Sequence, residues 1–196
     1  GISLLALTDH DTMNGTAEAL QAGKNAGITV LAGVEFDCAW PQELHILGLG
    51  LDLEGQALLE ALHAANLRRE ARNEAMILQL LDAGYDVRPY LGTSEGSLTR
   101  LHVALAMTDA GYVDSARAAF DTFLRPGQIG SVAGYRESCI APAEAIRVIR
   151  EAGGLAVWAH PMNVAANPHS MTRMLAAEGL GGIEAFHPSA TEGEAA

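Results

Sequence analysis

Four times along this chain a short apolar run stops at or beside a side chain able to hold a cation or a phosphate. Residues 2–7 run into Thr8-Asp9-His10-Asp11-Thr12, residues 28–36 carry Glu35 near their end, residues 155–159 stop at His160-Pro161, and residues 182–186 stop at His187-Pro188. Each run has the length and the apolar, often β-branched character of a strand, and the first two are separated by an Ala-rich stretch, 17–26, that ends at Gly27. Strand, helix, strand in that order predicts a parallel β/α architecture. Folds of that kind gather their ligands outside the carboxyl ends of the strands, where loops and helix N-termini meet. A chain that repeatedly ends strands in His or Glu is therefore constrained to bring those residues toward one rim.

The rest of the chain fits around this frame. Residues 36–49 read as a short antiparallel hairpin turning near Trp40-Pro41, which places Glu35 and His45 on or near opposing positions. From residue 55 to 83 the pattern is helical, with Leu58, Leu62, Ala65, Ile77, Leu78 and Leu81 expected to face a core and Gly84 as a stop. Further helical runs at 97–110 and 115–124 extend this into a helical block, so the expected organisation is a first barrel part at 1–54, a helical insertion at 55–140 and a second barrel part at 141–196. Pro142 with Glu144 close behind opens another helix, and Gly153-Gly154 closes it ahead of the apolar run 155–159. A last helix is expected at 170–177.

Charge and cysteine usage narrow the functional classes. Twelve basic against 24 acidic residues leave a formal net charge of −12, which argues against wrapping duplex DNA through a broad basic face. Cys38 and Cys139 stand in no CxxC pattern, so neither a disulfide framework nor a thiolate zinc site is expected, and two reduced thiols fit a cytoplasmic protein. No stretch has the roughly 18 to 20 apolar residues of a membrane span.

His10, Glu35, His45 and His160 are the strand-associated positions with metal-ligand chemistry. Singly, each has a plainer reading, as a hydrogen-bonded structural histidine or a solvated glutamate. Together, imidazoles and a carboxylate suit Zn, Mn or Fe, and a carboxylate is able to bridge two cations roughly 3.5 to 4 Å apart. Thr8-Asp9-His10-Asp11-Thr12 with Gly15, Gly33-Val34-Glu35, His45-Ile46-Leu47-Gly48 and Ala159-His160-Pro161 resemble successive motifs of PHP-domain phosphoesterases. The resemblance is greatest to the bacterial subgroup of 3′,5′-nucleoside bisphosphate phosphatases and 5′-to-3′ exoribonucleases of the RNase AM kind. Thr99-Arg100-Leu101-His102, Gly111-Tyr112, Gly153-Gly154 and Gly182-Ile183-Glu184 fall in order with that subgroup.

The resemblance implies an α/β fold, a distorted seven-stranded β/α barrel, incomplete in these 196 residues, carrying a helical insertion. It implies His10, Glu35, His45 and His160 as ligands in a site for up to three divalent ions, with Mn expected and Zn or Fe as alternatives, and Glu35 bridging. His10, Glu35 and His160 are then also catalytic. Two family patterns are absent, an N-terminal D-x-H-x-H and a C-terminal G-S-D-x-H. The start inside an apolar run reads as truncation at both ends, in which case this stretch alone is expected to bind metal weakly and turn over little. The other reading of the missing ligands is a reduced, catalytically silent module.

Arg100 and His102 begin a helix capped by Ser97 or Thr99, where free backbone N–H groups, the helix dipole and a guanidinium favour phosphate. By themselves they read equally as a cap or a salt bridge; the resemblance makes them substrate-binding. His187 is assigned on the same ground to the substrate, with simple packing at the strand end as its plainer reading. Asp9 and Asp11 are expected to orient neighbouring ligands, or Asp11 to cap the following helix, while Arg68, Arg69 and Arg72 read as the solvated face of the long helix. The expected activity is hydrolysis of a phosphomonoester or terminal phosphodiester on a small nucleotide or an RNA 5′ end. A histidinol-phosphatase-like or polymerase-associated hydrolase is the alternative within the family, and a metal-dependent amidohydrolase barrel the alternative outside it.

Overall fold

A computed structural model describes residues 1–92, 98–164 and 168–187. Within them the chain forms two compact units, one of Gly1–Ala65 and Arg136–Ala196, the other of Asn66–Tyr135.

The first unit is built on a five-stranded sheet in the order β1 (Leu4–Leu7), β2 (Thr29–Cys38), β3 (Leu44–Leu49), β4 (Leu155–Trp158) and β5 (Gly182–Ile183), not closed into a barrel among the described residues. β1 and β2 are parallel and joined by α1 (Thr16–Ala26); β2, β3 and β4 are antiparallel neighbours; β4 and β5 are parallel and joined by α7 (Pro168–Ala177). This arrangement has one consequence for direction. β1, β2, β4 and β5 all run the same way and β3 alone runs back, so the carboxyl ends of four strands and the amino end of β3 share one rim. α1 stops at Gly27, whose φ of 68° is the left-handed cap that glycine adopts without a Cβ penalty.

Period-two alternation divides β2 into a buried face of Val34, Phe36 and Cys38 and an opposite face of Glu35 and Asp37. β3 does the same with Leu44 and Ile46 against His45. The buried faces join Ile146 and Ile149 of α6 (Pro142–Glu151), Trp158 of β4, Leu175 of α7 and Leu58 and Leu62 in one core. Gly33 is required by close approach: a Cβ there would lie 2.7 Å from the Leu7 carbonyl oxygen and 3.0 Å from that of Gly48. Both neighbours are backbone and have little room to give.

The run at 2–7, read from its composition as a buried strand, is instead an edge strand, with Leu4 56% and Leu5 47% exposed. Among the described residues it pairs only with β2, and neither face is fully covered. At the opposite edge β5 keeps only two residues, and Phe186 is 83% exposed.

α2 (Gln56–Asp82) contributes Leu58 and Leu62 to this core and Met76 and Leu80 to that of the second unit. The expected stripe holds for Leu58, Leu62 and Ala65 and fails for Leu78, which is 49% exposed. The buried positions 58, 62, 65, 69, 72, 73, 76 and 80 keep one helical stripe throughout, with Arg69, Arg72 and Asn73 in its middle. These arginines are buried, at 4% and 7% exposure, rather than solvated, and the Arg72 guanidinium lies 4.7 Å above the Tyr135 ring. Around Met76 and Leu80 the second unit packs α3 (Arg100–Asp109), α4 (Ala116–Ala119) and a π-helical turn at Phe120–Leu124. A last short helix, α5 (Tyr135–Ser138), ends before α6. No helix of the described residues is long and apolar enough to cross a membrane.

Candidate metal centre

The shared rim collects the four histidine and glutamate positions read from the sequence. β1 ends at Leu7, and residues 9–11 continue along the edge of β2: the Glu35 N–H donates to the Asp9 carbonyl at 3.0 Å and the Asp11 N–H to the Glu35 carbonyl at 3.0 Å. His10 is thereby held in a parallel bridge with Glu35. Across the hairpin, Glu35 pairs with Leu47 and Asp37 with His45, a shift of two residues from a direct Glu35–His45 pair. His45 is thus a diagonal neighbour of Glu35 on the same face, still within side-chain reach. Because β3 runs against its neighbours, His45 reaches the rim from a strand's beginning, while Glu35 and His160 reach it from strand ends.

Side-chain geometry converges on Glu35. Its Oε1 lies 2.8 Å from His45 Nδ1 and 3.3 Å from His160 Nε2, and those two nitrogens are 3.0 Å apart. Its Oε2 lies 3.7 Å from His10 Nε2. One ligand atom from each of His10, Glu35 and His45 falls within a 4.8 Å span. Burial by itself raises the Glu35 carboxyl, but hydrogen bonds from His160 and His45 and the charge of His10 outweigh it and hold the group well below the usual carboxylate range. In return, the hydrogen bond to Glu35 raises His160 above the ordinary imidazole value against the effect of its partial burial. Three imidazole nitrogens around one ionised carboxylate form a donor set suited to a divalent first-row metal.

Backbone strain is concentrated here as well. Asp11, with φ of 54°, and His160, with φ of 32°, are the non-glycine residues of positive φ among those described. Each is held by specific bonds. The Asp11 carboxylate does not cap α1, whose N-cap is Gly15 without a side-chain bond; it accepts the Asp37 N–H at 3.2 Å, standing in for the next rung of the ladder beside β2. The His160 N–H donates to the Glu184 carboxylate at 2.7 Å. Glu184, which from its place near the chain's end reads as a solubilising charge, is a constraint on the site.

Asp37 was invisible as a site residue in the sequence reading. Its Oδ1 lies 3.0 Å from His10 Nδ1 and 3.3 Å from His45 Nε2. The available signal was its spacing of two from Glu35, which puts both on one face of β2. His187 stands beside His160, with ring centroids 5.5 Å apart. Arg100 and His102 belong to the second unit, at the first and third positions of α3. There His102 Nδ1 accepts the Thr99 N–H at 3.0 Å in a capping box, and the Arg100 guanidinium lies 5.9 Å from the Phe120 ring centroid. Thr99 is the N-cap; Ser97, the other expected cap, lies outside the described residues.

No protein-family model matches the chain. Among curated proteins it is 35% identical, over 97% of its own length and 74% of the relative's, to a phosphoribosyl 1,2-cyclic phosphate 1,2-diphosphodiesterase of Eggerthella lenta. It is 37% identical to a 3′,5′-nucleoside bisphosphate phosphatase of Chromobacterium violaceum, with 81% of the chain and 56% of the relative covered. A 5′-3′ exoribonuclease of Haemophilus influenzae is 35% identical, with 83% and 59% covered. The chain thus spans about three quarters of the first and less than three fifths of the other two. Among solved structures, one described as an amidohydrolase from Chromobacterium violaceum, with bound sulfate and no metal, superposes with a TM-score of 0.88 at 33% identity, over 98% of this chain and 70% of that one.

Proposed function

Because the chain belongs to the PHP-type phosphoesterases, we propose that it acts as a metal-dependent phosphoric ester hydrolase on ribose phosphates. The substrates are nucleoside 3′,5′-bisphosphates, losing one phosphate, or short RNAs, losing 5′-terminal nucleotides. The observation that carries this reading is the convergence of His10, His45 and His160 on the two oxygens of Glu35 at a strand-end rim. Divalent ions held by these four residues, Mn in the first instance and Zn or Fe as alternatives, would lower the pKa of a bound water and offset charge developing on the phosphoryl oxygens.

The chain's own groups supply the rest. Glu35, ionised at neutral pH, brings the negative charge that cations need and has two oxygens with which to bridge. His10, Glu35 and His160 border the reacting phosphate, and His187, next to His160, is placed to touch the substrate. Arg100 and His102 are assigned to a second phosphate, which a bisphosphate or an RNA 5′ end possesses and a monophosphate lacks. In the same reading residues 55–140 are an insertion in the barrel frame at 1–54 and 141–196. A cytoplasmic location fits the two free cysteines, Cys38 and Cys139.

A second reading, hydrolysis of a cyclic phosphodiester on ribose, is favoured by the greater reach of the match to the Eggerthella lenta relative, 97% of this chain. One assay separates the two and tests both. The full-length protein, loaded with Mn²⁺, is given adenosine 3′,5′-bisphosphate, a short 5′-phosphorylated RNA and a ribose 1,2-cyclic phosphate, alongside His10→Ala and Glu35→Gln. Metal-dependent hydrolysis that falls by a factor of at least about 10² in both variants is expected. A folded, metal-loaded protein that leaves all three substrates intact overturns the proposal and favours a silent module or another phosphomonoester.

A further inference from the structure

Strand alternation alone would carry His160 away from the site. Trp158 pairs with Ile46 and shares its buried face, and the same register continued by two residues sets position 160 opposite Leu44, which is buried as well. Glu35, Asp37 and His45 occupy the other face. A continued strand would therefore send the His160 ring into the apolar core. The backbone prevents this by turning left-handed at His160, with φ of 32° and ψ of 59°, ahead of a 3₁₀ turn at Pro161–Asn163. Such a conformation is unfavourable for a residue with a Cβ, and a residue before proline is otherwise driven toward extended backbone. The turn needs a partner to hold it.

Glu184 is that partner, and it acts twice. Its N–H donates to the Trp158 carbonyl at 2.9 Å, extending the parallel β4–β5 ladder by one rung. In this register the next donor is the His160 N–H, which a regular ladder would give to the Glu184 carbonyl. It goes instead to the Glu184 side chain, 2.7 Å from Oε2. On either side the turn is pinned by backbone bonds, from the Ala159 N–H to the His45 carbonyl at 3.1 Å and from the Asn163 N–H to the His160 carbonyl at 3.0 Å. The ring is thereby brought out of the core face, with its Nε2 3.3 Å from Glu35 Oε1. We infer that Glu184 is a positioning residue for the metal centre: its carboxylate, by accepting the His160 N–H, holds the left-handed turn that delivers the imidazole to Glu35. What the position requires is an acceptor at that distance, so an uncharged carbonyl oxygen in the same place serves as well.

The inference rests on reading His160 as a metal ligand, and its test has one arm that needs no metal. In the metal-free full-length protein, the ¹³Cα and ¹³Cβ chemical shifts of His160 report its backbone conformation, and the ¹H shift of its amide reports the bond to Glu184. Expected in the wild type are left-handed carbon shifts and an amide displaced downfield. Glu184→Ala is expected to lose both, with the shifts of β2 and β3 unchanged, and to weaken Mn²⁺ binding, followed by electron paramagnetic resonance, by roughly 10- to 100-fold. Glu184→Gln, which keeps a carbonyl acceptor, is expected to retain the turn and most of the affinity. The carbon shifts of this one residue separate the role from a general loss of stability, which leaves them unchanged in the folded population. Should Glu184→Ala not fold, Glu184→Asp, one methylene short of the amide, takes its place in the comparison. Left-handed shifts at His160 in a folded Glu184→Ala protein, an unchanged Mn²⁺ affinity despite a lost turn, or a Gln variant as impaired as the Ala one overturn the inference. A wild type that has the left-handed turn and takes up no Mn²⁺ overturns the metal reading, and the inference built on it falls with it.

Discussion

Asp11 illustrates how much of the site depends on side chains that touch no candidate substrate. Its buried carboxylate completes the hydrogen bonding of β2 at Asp37, from a backbone with φ of 54°. Asparagine keeps a side-chain acceptor and tolerates the left-handed conformation, whereas alanine leaves the Asp37 N–H unsatisfied and has no polar side chain to offset the left-handed backbone. In thermal melts of the metal-free protein, Asp11→Asn is expected to stay within about 1 kcal/mol of the wild type and Asp11→Ala to fall by about 2 to 4 kcal/mol. Equal losses in the two variants would show that the carboxylate charge, rather than the acceptor and the backbone, is what the position requires. At this scale the sequence was legible for residues whose chemistry announces itself, His10, Glu35, His45 and His160. It was silent for Asp37 and for the partners of Asp11 and Glu184, because an aspartate on a strand face or a glutamate near a chain end looks like any solvated charge until its partner, 24 or 26 residues away, is known.

α2 carries the lesson of the element scale. Its apolar stripe is continuous only if Arg69 and Arg72 are admitted to it, and a reading that sent every arginine to solvent displaced the second half of the stripe onto Ile77, Leu78 and Leu81. The fully buried side chains are Met76 and Leu80, with Ile77 packed partly buried against the same core and Leu78 exposed. Leu80→Ala is therefore expected to cost about 2 to 5 kcal/mol and Leu78→Ala less than about 1 kcal/mol, measured by urea denaturation. The reverse order would restore the displaced stripe. The β2–β3 hairpin was more legible, since a Pro-containing turn between two apolar arms leaves few registers. Its pairing differed by two residues from a direct Glu35–His45 pair and kept both on one face, because a shift of register by two preserves the face.

For the whole molecule, the arrangement predicts a coupling between metal and stability. A ligand that binds only the folded chain stabilises it by about 2.7 kcal/mol at a hundredfold excess over its dissociation constant. Added Mn²⁺ is expected to raise the melting temperature of the full-length protein, chelator to lower it again, and Glu35→Gln to abolish the shift. A shift that survives Glu35→Gln would place the cation elsewhere.

The sequence by itself determined the alternation of strands and helices, the placement of four metal-capable residues at strand ends and the resemblance to a phosphoesterase family, since periodicity, turn residues and side-chain chemistry are all local properties. Only the tertiary structure decided the exact register of the β2–β3 hairpin, and hence that Asp37 rather than Glu35 stands opposite His45. It also decided which charges are buried and that one oxygen of Asp37 stands behind two rings. Those are relations between segments up to 125 residues apart, as for Glu35 and His160. They arise when a sheet chooses its strand order and its neighbours exclude water, and no window of sequence contains them.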